Sequence, residues 1–169
     1  VTYLAAPGKT QSIVTAQIIL GTMVRQDGPD GQETRMEAAR LIAILPDHFD
    51  DQLAQLLQDE DRDVRRQTLR TVGQLEKHRL LPQVLEHMRD EDLASEAIET
   101  LSAFGETVVD ALLSHLQDKS ISVEVRREIP RALLSIDTAT AAKALSECLL
   151  QADTIIRMEV ITSLNTLHQ

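Results

Sequence analysis

The sequence has no tryptophan and only three aromatic residues, Tyr3, Phe49 and Phe104, which is 2% of its 169 positions. A β-sandwich draws on more aromatic and β-branched strand formers, whereas packed helices can build a core from Leu, Ile, Val and Ala. Hydrophobic residues still reach 43%, enough for a substantial core in one domain or in one array of small repeats. Cysteine is equally scarce. Cys148 stands alone, which rules out an internal disulfide and gives no sign of an oxidising compartment, so cytoplasmic residence is the expectation. With Leu145 and Leu149 at helical spacing around it, Cys148 reads as a small core residue rather than a nucleophile.

Long apolar runs are missing as well. The longest stretch without charge, Thr10 to Val24, carries Gln11, Ser12 and Gln17 and falls short of the roughly 18 to 20 apolar residues that span a bilayer. It reads as a first, buried helix, with a juxtamembrane helix as the alternative. Positive charge is in deficit, leaving a formal net charge of -10. That sign opposes diffuse attraction to nucleic acid or anionic lipid, although a local basic stripe can survive it. The chain opens at Val1 rather than Met, which suggests a segment of a longer protein.

What is present is a repeat. The segment from Val64 to Leu75 recurs in register at Thr34, Leu93, Val125 and Ile156, at spacings of about 30 residues. The first column holds Thr34, Val64, Leu93, Val125 and Ile156, and the fifth Ala38, Thr68, Ala97, Ile129 and Val160. The ninth holds Ile42, Val72, Leu101, Leu133 and Leu164; the twelfth Leu45, Leu75, Phe104, Ile136 and Leu167. Steps of four, four and three trace one face of an α-helix. A shorter amphipathic helix precedes each of the later copies, marked by Phe49, Leu53, Leu56 and Leu57 in the second and by Val109, Leu112, Leu113 and Leu116 in the fourth. The third and fifth carry Leu81, Val84, Leu85 and Met88, then Ala141, Leu145, Cys148 and Leu149. In the first copy the corresponding helix is longer, from about Gln11 to Arg25.

Turn chemistry agrees with this division. Gly28, Pro29, Asp30 and Gly31 break the first hairpin, and Asp59, Asp61 and Asp63 can cap the helix that follows them. Asp90 and Asp153 match Asp61 in register, while Pro46 and Pro82 fall at helix boundaries. Inside a helix a proline clashes with the carbonyl four residues back, so Pro130 is expected to kink or restart its helix. The reading is an all-α, right-handed solenoid of about five hairpins. A flexible segment at 1–10 precedes one domain at 11–169, with repeats near 11–46, 47–78, 79–105, 106–137 and 138–169. Leu164 and Leu167 belong to core columns, so the array is expected to continue beyond the fifth repeat.

The stretch Asp63, Val64, Arg65, Arg66 followed by Leu69 and Leu75 resembles the second helix of HEAT repeats, in particular the short bacterial kind related to phycobilin-lyase HEAT-like repeats. The resemblance covers roughly residues 11 to 168. It implies a ladder in which a turn Asp meets an Arg at the second column, occupied by Arg35, Arg65, Arg126 and Arg157 and broken at Ala94. The run Val125 to Arg131 and the closing Ile161 to Asn165 are similar to HEAT segments of bacterial proteins that join a nucleotide-translocase-like or major-facilitator-like membrane part to a cyclic-nucleotide-binding domain. That likeness implies a cytoplasmic adaptor or regulatory module.

Motifs that would carry chemistry are incomplete. Gly8, Lys9 and Thr10 end like a phosphate-binding loop, but the required first glycine is Tyr3 and no strand precedes it. Asp59, Asp61 and Asp63 begin like a calcium loop, but its sixth position is Val64 and its twelfth is Arg70. Asp47, His48, Asp50 and Asp51 read as a capped turn rather than metal ligands, and the His-Glu pairs of HEAT-type di-iron hydroxylases are missing. The aromatic-rich basic face of a HEAT-like DNA glycosylase is missing too.

No catalytic, cofactor or metal residues are expected. The expected function is a protein-protein interaction or regulatory scaffold; the alternatives are a lyase or hydroxylase and a nucleic-acid module. In HEAT-like stacks the second helices line the concave side. Positions three and seven place Arg40, Arg66, Arg70, Arg127 and Arg131 there, a candidate face for a protein or acidic peptide.

Overall fold

The computed structural model describes residues 7–28, 31–45, 49–136, 138–151 and 154–166, with side-chain surroundings given from Ile13 onward. Ten α-helices follow in order: α1 (Pro7–Val24), α2 (Gly31–Ile42), α3 (Asp50–Leu57), α4 (Arg62–Gln74), α5 (Leu81–Glu86), α6 (Ala94–Ala103), α7 (Val109–Gln117), α8 (Val123–Ser135), α9 (Ala139–Gln151) and α10 (Thr154–Thr166). No strand occurs among the described residues. In chain order they form five successive helix pairs, α1 with α2 through α9 with α10, at the repeat spacing read from the sequence. Residues form two compact units, Val1–Thr71 and Val72–Gln169.

In the first unit α1 packs on α2 and α3. It starts at Pro7, so the last residues of the expected flexible segment are helical; proline is well suited to a first helical position because its missing N–H has no partner there to lose. Gly8, Lys9 and Thr10 therefore sit in helix. The apolar side of α3, Leu53, Leu56 and Leu57, is fully buried together with Phe49, and meets Ala38, Ala39 and Ile42 of α2 in the same core. Thr71 is buried on α4 and donates its hydroxyl to the Ala39 carbonyl at 3.0 Å, which ties α4 to α2 and satisfies a polar group that burial would otherwise penalise.

One rung of the implied ladder is present in this unit. Arg35 grips Asp59 with two guanidinium nitrogens, Nε at 2.6 Å and Nη2 at 3.1 Å, and its Nη1 donates to the Gln26 carbonyl at 2.6 Å. Asp61 has a different role: its Oδ1 accepts the N–H groups of Asp63 at 2.8 Å and Val64 at 3.3 Å, capping α4, and it also accepts from Gln32. Asp90 departs from this pattern. Helix α6 begins four residues after it, and its carboxylate accepts the Asp92 N–H at 3.0 Å in the intervening turn. Asp153, Pro46, Asp47 and His48 lie outside the described residues, as does the side chain of Cys148.

In the second unit α6, α8 and α10 form a layer in which each packs on the next, with α7 and α9 against α8 and α5 against α6. Burial follows the columns. Position five is fully buried in all five copies, and position one in four of them, Thr34 being half-buried. Position nine is buried at Ile42, Val72, Leu101 and Leu133, with Leu164 outside the described side chains. Position twelve is mixed: Phe104 and Ile136 are buried and Leu45 and Leu75 half-buried, although α2, α4, α6 and α8 all end before this position, and Leu167 lies outside the described residues.

Pro130 does not restart its helix. α8 runs unbroken from Val123 to Ser135 with the proline buried inside it. It occupies position six, where Ala39, Leu69 and Ile98 are also buried, so the ring fills a packing position.

α4 ends in a Schellman turn, with Lys77 N–H donating to the Val72 carbonyl at 3.1 Å and Glu76 N–H to Gly73 at 3.1 Å. Glu76 holds φ 50 there, a left-handed conformation usually left to glycine. Glu76→Gly is expected to raise stability by about 0.5 to 1 kcal/mol, read as a higher urea midpoint. A lower midpoint would show that the Glu76 side chain outweighs its backbone cost. Gly73 is fixed for another reason: a Cβ there would lie 3.2 Å from Thr100 Cα, so the end of α4 and α6 approach backbone to backbone.

Candidate partner-binding surface

Positions three and seven stay on the solvent side of the second helices. In the first unit these are Met36 and Arg40 on α2 and Arg66 and Arg70 on α4, with Met36 and Arg66 half-buried and both residues at position seven exposed. In the second unit they are Ser95 and Glu99 on α6, Arg127 and Arg131 on α8, and Met158 and Thr162 on α10, all exposed. Of the five arginines, Arg40, Arg70, Arg127 and Arg131 are thus exposed and Arg66 is half-buried.

Carboxylates of the same chain already touch Arg40, Arg66, Arg127 and Arg131. Arg40 donates to Glu33 at 3.2 Å and Glu37 at 3.3 Å, and the bonds to Glu37 and then Glu33 hold its pKa above the ordinary arginine value. Arg66 pairs with Asp63, and Arg131 with Glu128 at 2.6 Å, both three residues apart on one helix. Arg127 reaches across to α10, placing Nε at 3.0 Å and Nη2 at 2.7 Å from one oxygen of Glu159. Glu124, one turn earlier, is held below the usual carboxylate range, first by its own backbone N–H and in smaller part by Arg89 and Arg127. Such exposed pairs contribute about 0 to 1 kcal/mol each, so an incoming carboxylate can replace the resident one at little cost. A guanidinium offers five N–H donors in a planar fork, and one carboxylate oxygen uses one or two of them.

Elsewhere the polar groups are committed to the fold. Asp59 is taken by Arg35 and by the Asp61 N–H, and Asp61 by the cap of α4, so the calcium-like triplet serves structure. No group of three or more His, Cys, Asp or Glu residues among those described could hold a metal ion. A cavity of about 360 Å³ in the second unit lies among Leu85, Arg89, His115, Ser122 and Val125. Within it Arg89 pairs with Glu86 at 3.2 Å and His115 Nδ1 lies 2.7 Å from the Ala111 carbonyl. No described helix is long and apolar enough to cross a membrane.

The inter-helix pair Arg127 with Glu159 and the buried hydroxyls are not evident in the sequence. Small or hydroxyl residues at position eight, Thr71, Thr100, Ala132 and Ser163, are buried, yet in sequence they look like a drifting polar column. Their common small size was the signal available.

Helical hairpins repeating at this spacing, with α6, α8 and α10 stacked in the second unit and no strand among the described residues, define an all-α, HEAT-like solenoid architecture. Comparison with known families agrees: a model described as HEAT repeats matches residues 83–165. The chain is thus similar to HEAT repeats over residues 83–165, all within the second unit. No curated protein matches the sequence. HEAT repeats generally mediate protein-protein interaction.

Proposed function

We propose that the protein is a non-catalytic interaction or regulatory module that holds acidic segments of a partner protein against the arginines on the second helices of each unit. The observation that carries this reading is their placement. Arg40, Arg70, Arg127 and Arg131 are exposed and Arg66 half-buried, at two columns of a chain whose net charge is -10. Forked guanidinium groups suit carboxylates better than lysine would, because they present two parallel N–H donors. The resemblance of Val125 to Arg131 and of Ile161 to Asn165 to segments fused with membrane parts supports a role as the cytoplasmic adaptor of a larger protein.

The test is direct titration with a short fluorescein-labelled peptide of Glu and Ser, followed by anisotropy. Arg66→Glu combined with Arg127→Glu, one in each unit, is expected to weaken binding at least about tenfold, or about 1.4 kcal/mol, with the helical circular dichroism unchanged. Undiminished binding by the folded double variant would place the contact on another surface.

A further inference from the structure

We propose that Met158 is the apolar contact of the surface that carries Arg127 and Arg131. The partner segment then combines an acidic residue with an unbranched apolar one. This rests on the function proposed for the arginine surface and specifies its partner more closely.

Two exposed apolar residues stand on α10, Met158 at 61% and Ile161 at 42%. The register separates them. Ile161 occupies position six, and its counterparts Ala39, Leu69, Ile98 and Pro130 are all buried, so it belongs to a stacking position between repeats. Met158 occupies position three. There Ser95 and Arg127 are exposed even though α6 and α8 have a neighbouring second helix. Within the second unit a following repeat leaves that column exposed, as at Ser95 and Arg127, so Met158 stands on the open face of α10 and suits a different occupant.

The occupant's chemistry follows from what adjoins the methionine. Arg127 extends from α8 onto Glu159, the next residue after Met158, and so brings its guanidinium to the same stretch of α10. Arg131 follows one turn along α8. A thioether chain is flexible and polarisable and adapts to varied apolar side chains, which suits a contact beside a fork that accepts carboxylates. Neighbouring helices lie about 8 to 10 Å apart. A partner in the polyproline II conformation, which rises about 3.1 Å per residue and returns to the same side every third residue, would therefore carry its acidic and apolar residues about three positions apart.

The experiment compares two labelled peptides, the Glu and Ser peptide and one in which a central Ser is replaced by Leu three positions from a Glu. The wild-type protein is expected to bind the Leu peptide about fivefold more tightly. Met158→Ser should remove that advantage and leave the affinity for the Leu-free peptide unchanged, while Met158→Leu restores it and Ile161→Ser does not affect it. If both peptides bind equally to the wild type, or if the advantage survives Met158→Ser, the assignment of Met158 is overturned and the arginine surface stands. Binding of neither peptide would overturn both.

Discussion

Leu133→Ala is expected to cost about 2 to 5 kcal/mol of stability, a large share of the roughly 5 to 15 kcal/mol that separates a folded domain from its unfolded chain. Leu133 is fully buried at position nine of α8, and α8 packs on α6, α7, α9 and α10. Truncation there removes apolar burial and leaves a cavity that four helices must close together, which a close-packed interior does only in part. Leu101→Ala at the same column of α6 should behave alike, since it too is fully buried. Urea denaturation followed by circular dichroism measures both. A loss below about half a kcal/mol would show that the column register misplaces the core.

Asp59→Ala should cost about 3 kcal/mol, and for a different reason. The carboxylate accepts from two nitrogens of Arg35 and from the Asp61 N–H, at 2.6, 3.1 and 2.9 Å, with side-chain exposures of 16% for the arginine and 9% for the aspartate. Removing it leaves a largely buried guanidinium facing an apolar methyl group, and an unpaired buried charge is costlier than the pair is favourable. Asp59→Asn keeps an acceptor without the charge and should recover about half of the loss. Equal loss in Asp59→Asn and Asp59→Ala would assign the effect to charge alone. A loss within about half a kcal/mol for Asp59→Ala would reduce this rung to an ordinary surface pair.

Five second helices, their spacing and their buried columns one, five and nine were legible in the sequence because burial on one side of a helix imposes a period that survives changes of residue type. Position twelve was only partly legible: Phe104 is buried and Leu75 half-buried, although α6 and α4 each end one residue before them. Cap geometry was readable for Asp61 because the helix starts at the next residue, while Asp90, matched to it in register, is followed by a turn that delays α6 to Ala94. At Pro130 the expected alternatives were a kink or a restart, and the restart does not occur: α8 is continuous through the buried proline. For the candidate surface, the columns identified which arginines face solvent. Pairs within a helix, such as Glu128 with Arg131, were also evident from spacing. The bond from Arg127 to Glu159 was not, since it depends on how far one helix is displaced along another, and no local pattern encodes that displacement.

The pairing of the exposed arginines within the chain bears on the selectivity of the face. A bare basic groove attracts any polyanion, because binding liberates condensed counterions and gains entropy whatever the sequence of the ligand. Arg40, Arg66, Arg127 and Arg131 instead begin with covalently tethered carboxylates as their counterions. Those partners cannot diffuse away when a ligand arrives, so a nucleic acid gains little from displacing them and meets the freed Glu and Asp groups as neighbours. A peptide carboxylate of matching geometry exchanges like for like. In the proposed complex the tethered counterions would act as a filter that favours shape and spacing over charge density.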